Sequence, residues 1–201
     1  MSLKHTYTIF APIYDRFVGG VFDTLRQSNL NELQRLPLST SKILLSGIGT
    51  GLDLPLLPQG PEYVGMDLTP AMLDKARGRA KNLNIELRTG DVMCLPFEDN
   101  HFDAIVMHLI LAVVPKPALA LQEAQRVLKP GGYILVLDKF LRPGQIAPMR
   151  RLVNPLIKRL ATQTNIVFEH VISQCPQLIV IEDVPAMGNG WFRRIVLQKS
   201  I

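Results

Sequence analysis

The sequence predicts an α/β fold built on a mostly parallel sheet, and three features of the chain indicate this. Ile43-Leu44-Leu45 is a short apolar run, as expected of a strand buried on both faces of a parallel sheet. Similar runs at 63–66 and 102–107 alternate with segments that have helical patterns. Three glycines at alternate positions follow the first run directly, where open parallel sheets bind their ligands.

The composition is that of a globular protein, since 47% of its 201 residues are hydrophobic and 19% are charged. This length predicts a single domain over 1–201. No apolar run is long enough to span a membrane and no signal peptide is recognisable, so we expect a cytoplasmic protein. Cys94 and Cys175 are too few for a disulfide framework or a metal site, and no metal is predicted.

The chain is basic, with a formal net charge of +5 and a pI of about 9.4. This charge fits an anionic partner, either nucleic acid or an acidic lipid surface, and it equally fits an ordinary basic enzyme. Nucleic acid is disfavoured, because the sequence has no aromatic-basic platform and no appended binding domain. The sequence does not determine the oligomeric state.

Residues 4–36 have a helical pattern, with apolar side chains at four-residue spacing and a break predicted at Gly19-Gly20. We expect residues 1–38 to form a helical cap in front of the first strand. The apolar residues that set this spacing are Ile13, Phe17, Val21 and Leu25.

The glycine-rich turn and two acidic residues after it predict a nucleotide-type site. The third glycine, Gly51, comes one position too early for a dinucleotide fingerprint, because Leu52 stands where that motif needs glycine. Asp67 ends the second apolar run, where a carboxylate can accept both hydroxyls of a ribose. Asp91 ends the third run, at 85–91. A helix after the glycines, at 52–57, must be brief because of its prolines.

The remaining elements follow from capping signals and apolar patterns. A helix begins at Pro70 with Thr69 as its N-cap, and an amphipathic helix is predicted from Leu119 to Leu128. Further strands are predicted at Phe102–Met107, Tyr133–Leu137, Asn165–His170, Leu178–Asp183 and Trp191–Gln198.

With these features in this order, the chain resembles the class I methyltransferases that use S-adenosylmethionine. The matching stretches are 44–51, 64–67, 89–95, 102–106 and 126–132. The resemblance implies a Rossmann-like three-layer sandwich with a mostly parallel seven-stranded sheet and one antiparallel strand near the edge. It also implies S-adenosyl-L-methionine as cofactor and S-adenosyl-L-homocysteine as product.

The same resemblance implies a set of cofactor-binding residues. Ser46 stands where the family usually carries Glu or Asp, and a hydroxyl supplies no charge, which leaves open a protein that binds the cofactor without catalysing transfer. The residues implied for the methionine and ribose are Ser46, Gly47, Gly49, Thr50, Gly51, Asp67 and Leu68, and those implied for the adenine are Met72, Asp91, Val92 and Met93.

Two further segments resemble a narrower subgroup, the quinone- and phospholipid-methylating enzymes. The stretch from Tyr7 to Asp15 resembles the opening of that group, in which Tyr7 or Tyr14 closes the cofactor site or only packs the cap. Residues 109–117 resemble a segment of bacterial phosphatidylethanolamine N-methyltransferases, whereas quinone enzymes prefer an Arg-Asn pair at 109–110. The leading hypothesis is therefore methylation of a phospholipid headgroup amine, and the alternatives are a soluble small molecule or a quinone precursor.

The candidates for handling the acceptor amine are His108, Tyr14 and Asp15, with Asp138 as a weaker one. His108 comes just after the fourth strand, so it could hold the substrate, also touch the cofactor, take a proton, or only bond a loop carbonyl. The variable segment 139–165 is expected to serve as a substrate or lid segment. Residues 139–159 include basic residues but no acidic one, which predicts either peripheral contact with an anionic inner membrane face or a solvated helix lining the substrate channel.

Overall fold

One seven-stranded sheet organises the part of the chain described by the structure, a computed structural model covering residues 22–144, 165–188 and 190–201. The strands are β1 Lys42–Ser46, β2 Glu62–Asp67, β3 Ile85–Thr89, β4 Phe102–His108, β5 Leu128–Lys139, β6 Leu178–Met187 and β7 Phe192–Lys199. The α-helices are α1 Asp23–Leu30, α2 Pro70–Arg79, α3 Pro117–Val127 and α4 Phe168–Ile172. Short 3-10 segments lie at Asn31–Arg35, Leu38–Thr40 and Leu54–Leu56.

The strand order is β3-β2-β1-β4-β5-β7-β6, which confirms the predicted sheet. The strands from β3 to β5 are parallel, with Leu44 of β1 facing Val64 on one side and Ile105 on the other. Strand β7 runs antiparallel to both of its neighbours, β5 and β6, and is the predicted antiparallel strand near the edge. The carboxyl ends of β3, β2, β1 and β4 therefore lie side by side along one edge of the sheet.

Helices bury both faces of the sheet, as the apolar runs predict. Leu44 packs in one core cluster with residues of α3 and α4, whereas its neighbours Ile43 and Leu45 pack in the other with residues of α1 and α2. This alternation is the two-residue period of a strand, and here both sides are apolar because both sides are covered. The three-layer architecture follows from that pattern.

One local prediction needs correction. Residues 165–170 do not form a strand: Phe168 begins α4, whose buried face packs Phe168 against Phe140 with ring centroids 5.1 Å apart. Tertiary contacts determine the secondary structure of this short stretch. Among the described residues, its sheet pairing is limited to one parallel bridge between Leu141 and Val167. The brief helix expected after the glycines is confirmed as the 3-10 segment Leu54–Leu56, which ends at Leu57, an extended residue that precedes Pro58.

Several predicted features lie outside the described residues. Tyr7, Tyr14, Asp15 and the break at Gly19-Gly20 fall in residues 1–21, and most of the basic segment falls in residues 145–164. Within the described ranges, no helix combines the length and apolar character needed to cross a bilayer.

Candidate active site

A cavity of about 350 Å³ opens at the carboxyl edge of the sheet. Its walls come from the turn after β1, the ends of β2 and β4, and the loops that follow β3 and β4. Helix α1 closes part of it with Arg26. Open parallel sheets bind ligands at this edge, so the sequence prediction and the cavity agree in position.

Each of the three glycines in the first turn is needed for a different structural reason. All three have positive φ, at 79° for Gly47, 56° for Gly49 and 80° for Gly51. A Cβ on Gly47 would lie 2.5 Å from Ile110, and one on Gly51 would lie 2.7 Å from Leu54. A Cβ on Gly49 would meet nothing within 4 Å, because this glycine borders the cavity. The outer glycines allow packing, and the middle one leaves backbone open to a ligand.

Asp67 and Asp91, which we call the strand-end acids, are held by backbone N–H groups. Asp67 Oδ1 accepts from the N–H of Thr69 at 2.8 Å, and Oδ2 accepts from the N–H of Gly49 at 2.9 Å. Asp91 Oδ1 accepts from the N–H of Met93 at 2.9 Å. Burial raises the pKa of Asp67, and the two N–H groups partly oppose that rise. Each carboxylate keeps lone pairs that a ligand hydroxyl or amine can use.

A second group of polar side chains, Arg26, Asn29, Asp53 and His108, meets at the other end of the cavity, and we call it the charged cluster. His108 Nδ1 lies 2.9 Å from Asp53 Oδ1, and Arg26 Nε lies 3.2 Å from the same oxygen. On the far side of the imidazole, Asn29 Nδ2 lies 3.0 Å from His108 Nε2. All four residues are buried.

These contacts determine the electrostatics around Asp53. The Nδ1–H of His108 donates to Asp53 Oδ1, and the Asn29 amide contacts Nε2 on the other side of the ring. Burial alone would raise the pKa of Asp53, but His108 and then Arg26 outweigh it and hold that pKa below its usual value. The cavity therefore contains an ionised carboxylate that neighbouring side chains keep charged and oriented.

The loop after β4 forms an apolar wall beside the charged cluster. It begins at Leu109, whose φ of 56° is unusual for a residue with a side chain, and continues through Ile110, Val113 and Val114. Asp138, at the end of β5, anchors the loop by accepting from the N–H of Ala112 at 2.9 Å. Asp138 is 1% exposed, and burial raises its pKa to about 6.

Most of the described cofactor candidates line the cavity. Ser46 does not: it is buried behind the wall, and its hydroxyl has no hydrogen-bond partner in the described part of the chain. Gly51 is not in the wall either, and its lack of a side chain allows Leu54 to pack against it. Thr69 is the N-cap of α2, but its hydroxyl makes no capping hydrogen bond. The candidates in the wall are Gly47, Gly49, Thr50, Asp67, Leu68, Met72, Asp91, Val92, Met93 and His108.

Sequence reasoning missed three members of the charged cluster: Arg26, Asn29 and Asp53. One signal was available, since Arg26 and Asn29 are three residues apart on a helix and share a face with buried Leu30. Polar residues on an apolar face indicate a buried polar site. No group of three potential metal-ligating side chains occurs in the ranges that the structure describes.

Comparisons with known proteins agree with the site. Residues 44–136 match the family model described as a methyltransferase domain. A phosphatidylethanolamine N-methyltransferase of Cereibacter sphaeroides is 29% identical over 98% of each chain. A demethylmenaquinone methyltransferase of Staphylococcus carnosus is 43% identical over 82 residues, which are 40% of this chain and 34% of that protein. A solved S-adenosylmethionine-dependent methyltransferase of Thermotoga maritima, titled a possible histamine N-methyltransferase, is 21% identical with a TM-score of 0.67, covering 99% and 100% of the two chains.

The fold and the cavity are those of a nucleotide-binding α/β protein, and residues 44–136 match a methyltransferase domain. The chain is a class I S-adenosylmethionine-dependent methyltransferase. The residues present suit that cofactor: Gly49 leaves the backbone open, the strand-end acids keep free lone pairs, and Asp53 offers a negative charge to a cationic ligand. S-adenosylmethionine is therefore the cofactor, and the methyl acceptor is the question that remains.

Proposed function

We propose that this enzyme methylates the amine of a phospholipid headgroup. The observation that carries the proposal is the extent of one similarity: the phosphatidylethanolamine N-methyltransferase aligns with 98% of both chains. The demethylmenaquinone methyltransferase aligns with 40% of this chain. Similarity that extends beyond the methyltransferase domain at 44–136 includes the regions where acceptor specificity is expected.

The strand-end acids are proposed to hold the nucleoside of the cofactor. When bound, S-adenosylmethionine supplies a methyl group made electrophilic by the neighbouring sulfonium charge. Asp67 would accept the ribose hydroxyls, and Asp91 with the N–H group of Val92 would bind the adenine, since the Met93 N–H already donates to Asp91. Leu68 and Met72 provide apolar contact beside them. The glycine turn and Thr50 would then border the sulfur end of the cofactor.

The apolar wall after β4 is proposed to receive the acceptor. An amine can attack only in its uncharged form, and removal of water from an ammonium group lowers its pKa. Ile110, Val113 and Val114 give this end of the cavity an apolar lining, which favours the uncharged amine. His108 stays a predicted proton acceptor, but both of its ring nitrogens are engaged, so it needs Asn29 to release Nε2.

Contact with a membrane surface belongs to the same proposal. Lys139 and Arg142 begin the basic segment, and the remaining basic residues of that segment lie outside the described residues. Each Lys or Arg near an anionic surface contributes about 1 kcal/mol. A peripheral position on the cytoplasmic side would bring the headgroup to the cavity.

A quinone precursor or another soluble molecule is the second candidate. The observation that favours it is the higher local identity of the quinone relative, 43% over 82 residues. The pair Leu109-Ile110 argues against it, because quinone enzymes prefer Arg-Asn there.

Transfer of labelled methyl from S-adenosylmethionine distinguishes the two candidates. The purified protein is incubated with anionic vesicles that contain phosphatidylethanolamine, with matched vesicles that lack it, and with a soluble extract containing quinone precursors. We expect label in the lipid fraction of the first sample alone, and less label with an Asp67→Asn variant at limiting S-adenosylmethionine. Label confined to the extract would refute the phospholipid acceptor.

A further inference from the structure

The strand order arranges the polar features of the cavity in a line. Along the carboxyl edge come Asp91 after β3, Asp67 at the end of β2, the glycine turn after β1, and His108 at the end of β4. A ligand that begins at the strand-end acids with its base and ribose must extend toward the charged cluster. In S-adenosylmethionine, the part that extends beyond the ribose is an amino acid with an α-ammonium and an α-carboxylate.

Ser46 does not supply a charge to that part of the ligand. The acid that this family usually carries before the first glycine is replaced by a hydroxyl, and the hydroxyl is outside the cavity wall. Because the hydroxyl is buried with no partner among the described residues, it does not act through a neighbouring side chain either. A cationic group beside Gly47 therefore needs another anion.

Asp53 provides an anion with one oxygen available. His108 and Arg26 both contact Oδ1, while Oδ2 has no hydrogen-bond partner within the residues that the structure describes. Asp53 is 8% exposed and is part of the cavity wall. Because Arg26 already pairs with Oδ1, Oδ2 is the oxygen left to bind a second cationic group at the cavity wall.

The neighbours of Asp53 prepare it for a ligand that stays charged. Arg26 and His108 fix the orientation of the carboxylate through Oδ1, and Asn29 contacts the imidazole from its other side. Such a carboxylate would be a poor proton acceptor. It suits the α-ammonium of an amino acid, which keeps its charge throughout methyl transfer, better than an acceptor amine, which has to lose a proton before it attacks.

We propose that Asp53 binds the α-ammonium group of S-adenosylmethionine and so replaces the acid that is missing at Ser46. Arg26, Asn29 and His108 are positioning residues for this contact. The negative charge has moved from the end of β1 to the 3-10 turn that begins after Gly51, seven positions later in the chain.

Calorimetric binding of two ligands tests the proposal. S-adenosylhomocysteine carries the amino-acid group, and 5′-methylthioadenosine has the same adenosine and sulfur without it. Asp53→Asn removes the charge and keeps the size, so we expect affinity for S-adenosylhomocysteine to fall about 10- to 100-fold, the range for a charge-assisted hydrogen bond. Affinity for 5′-methylthioadenosine should change less than about threefold. Asp74→Asn, on the exposed side of α2, is the matched control and should change neither.

The ligand can also be changed in place of the protein. A suitable analogue carries a hydroxyl in place of the α-amine of S-adenosylhomocysteine. To the wild-type protein, it should bind at least about 10-fold more weakly than S-adenosylhomocysteine. To Asp53→Asn, the two ligands should bind equally well. If Asp53→Asn does not fold, Asp53→Glu keeps the charge but displaces it, and should weaken S-adenosylhomocysteine selectively.

Two outcomes would overturn the proposal. Equal losses for both ligands would mean that Asp53 supports the whole cavity, and unchanged binding of both with a raised KM for the methyl acceptor would place it in the acceptor site. Because no acceptor is needed for the binding measurements, their result does not depend on whether a phospholipid is the substrate.

Discussion

The two ends of the cavity are built in different ways. The strand-end acids are bonded by backbone groups of nearby turns: Asp67 by Thr69, two residues away, and by Gly49, 18 residues away, and Asp91 by Met93, two residues away. The charged cluster joins distant parts of the chain, since His108 is 55 residues from Asp53 and 79 residues from Asn29. One end is a property of local turns, and the other exists only once α1 has packed against the sheet.

The same difference appears in the electrostatics of two buried aspartates. Burial raises the pKa of Asp67, and backbone N–H groups only partly compensate. For Asp53, the side chains of His108 and Arg26 more than compensate for burial, and its pKa is lowered. Side-chain charges therefore keep one acid ionised, whereas backbone dipoles hold the other in position for hydrogen bonding.

The largest effect is expected from crowding the turn between the two ends. Gly47→Ala combines a strained φ of 79° with a contact 2.5 Å from Ile110, and should cost about 3 kcal/mol in free energy of unfolding. Gly131→Ala is the matched control: its φ is 76°, but nothing lies within 4 Å of the added Cβ, and it should cost about 1 kcal/mol. Urea unfolding measures both. Equal losses would mean that strain alone, without packing, makes Gly47 necessary.

Asp67→Asn separates the two ends by ligand. Because Asp67 is proposed to hold the ribose, this variant should weaken S-adenosylhomocysteine and 5′-methylthioadenosine alike, by about 10-fold or more. Asp53→Asn should weaken the first ligand selectively. Calorimetry on both variants gives the comparison, and a selective loss in Asp67→Asn would contradict the assignment of the nucleoside end.

The sequence predicts the sheet and the strand-end acids because both depend on local patterns. The apolar run at Ile43-Leu44-Leu45 defines a strand, and an acid directly after a strand lies at the carboxyl edge whatever the rest of the fold does. The charged cluster was not predictable in this way. Nothing local connects Arg26 with Asp53, and their meeting depends on the path of α1 across the sheet.

The error at 165–170 has the same origin. The stretch Ile166-Val167-Phe168 favours a strand by propensity, but Phe168 is needed in the core against Phe140, and Glu169 pairs with buried Arg193 at 2.8 Å. Contacts with residues far along the chain outweigh a propensity difference of at most about 1 kcal/mol. Short segments at the edge of a core are where local patterns fail.

Loss of the Asn29 amide should loosen the charged cluster without removing its charge. Asn29→Ala leaves His108 Nε2 without its hydrogen-bond partner and should cost about 1 kcal/mol in free energy of unfolding. Gln27→Ala, on the exposed side of α1, loses a surface hydrogen bond to Asn31 and should cost less than about 0.5 kcal/mol. Urea unfolding of both variants tests this. If both cost the same, the buried amide contributes nothing specific to the cluster.

Asp138 allows the contrast between backbone and side-chain support to be measured as a pH dependence. Its folded pKa of about 6 lies above the ordinary value of 3.8, so between these values the folded state binds more protons than the unfolded state. The contribution of Asp138 to the free energy of unfolding is therefore complete below pH 3.8 and is lost as the pH rises through 6.

The side chain of Asp138→Asn does not titrate. Its NH₂ group also replaces one of the two oxygens that accept hydrogen bonds from the N–H groups of Ala112 and Lys139. The variant should therefore be less stable than wild type, by a margin that is about 1 kcal/mol larger at pH 5 than at pH 7.5. Urea unfolding at the two pH values measures that change in margin. A margin that stays constant would show that the N–H groups of Ala112 and Lys139 compensate fully for burial, and backbone support would then be as effective as the side-chain charges around Asp53.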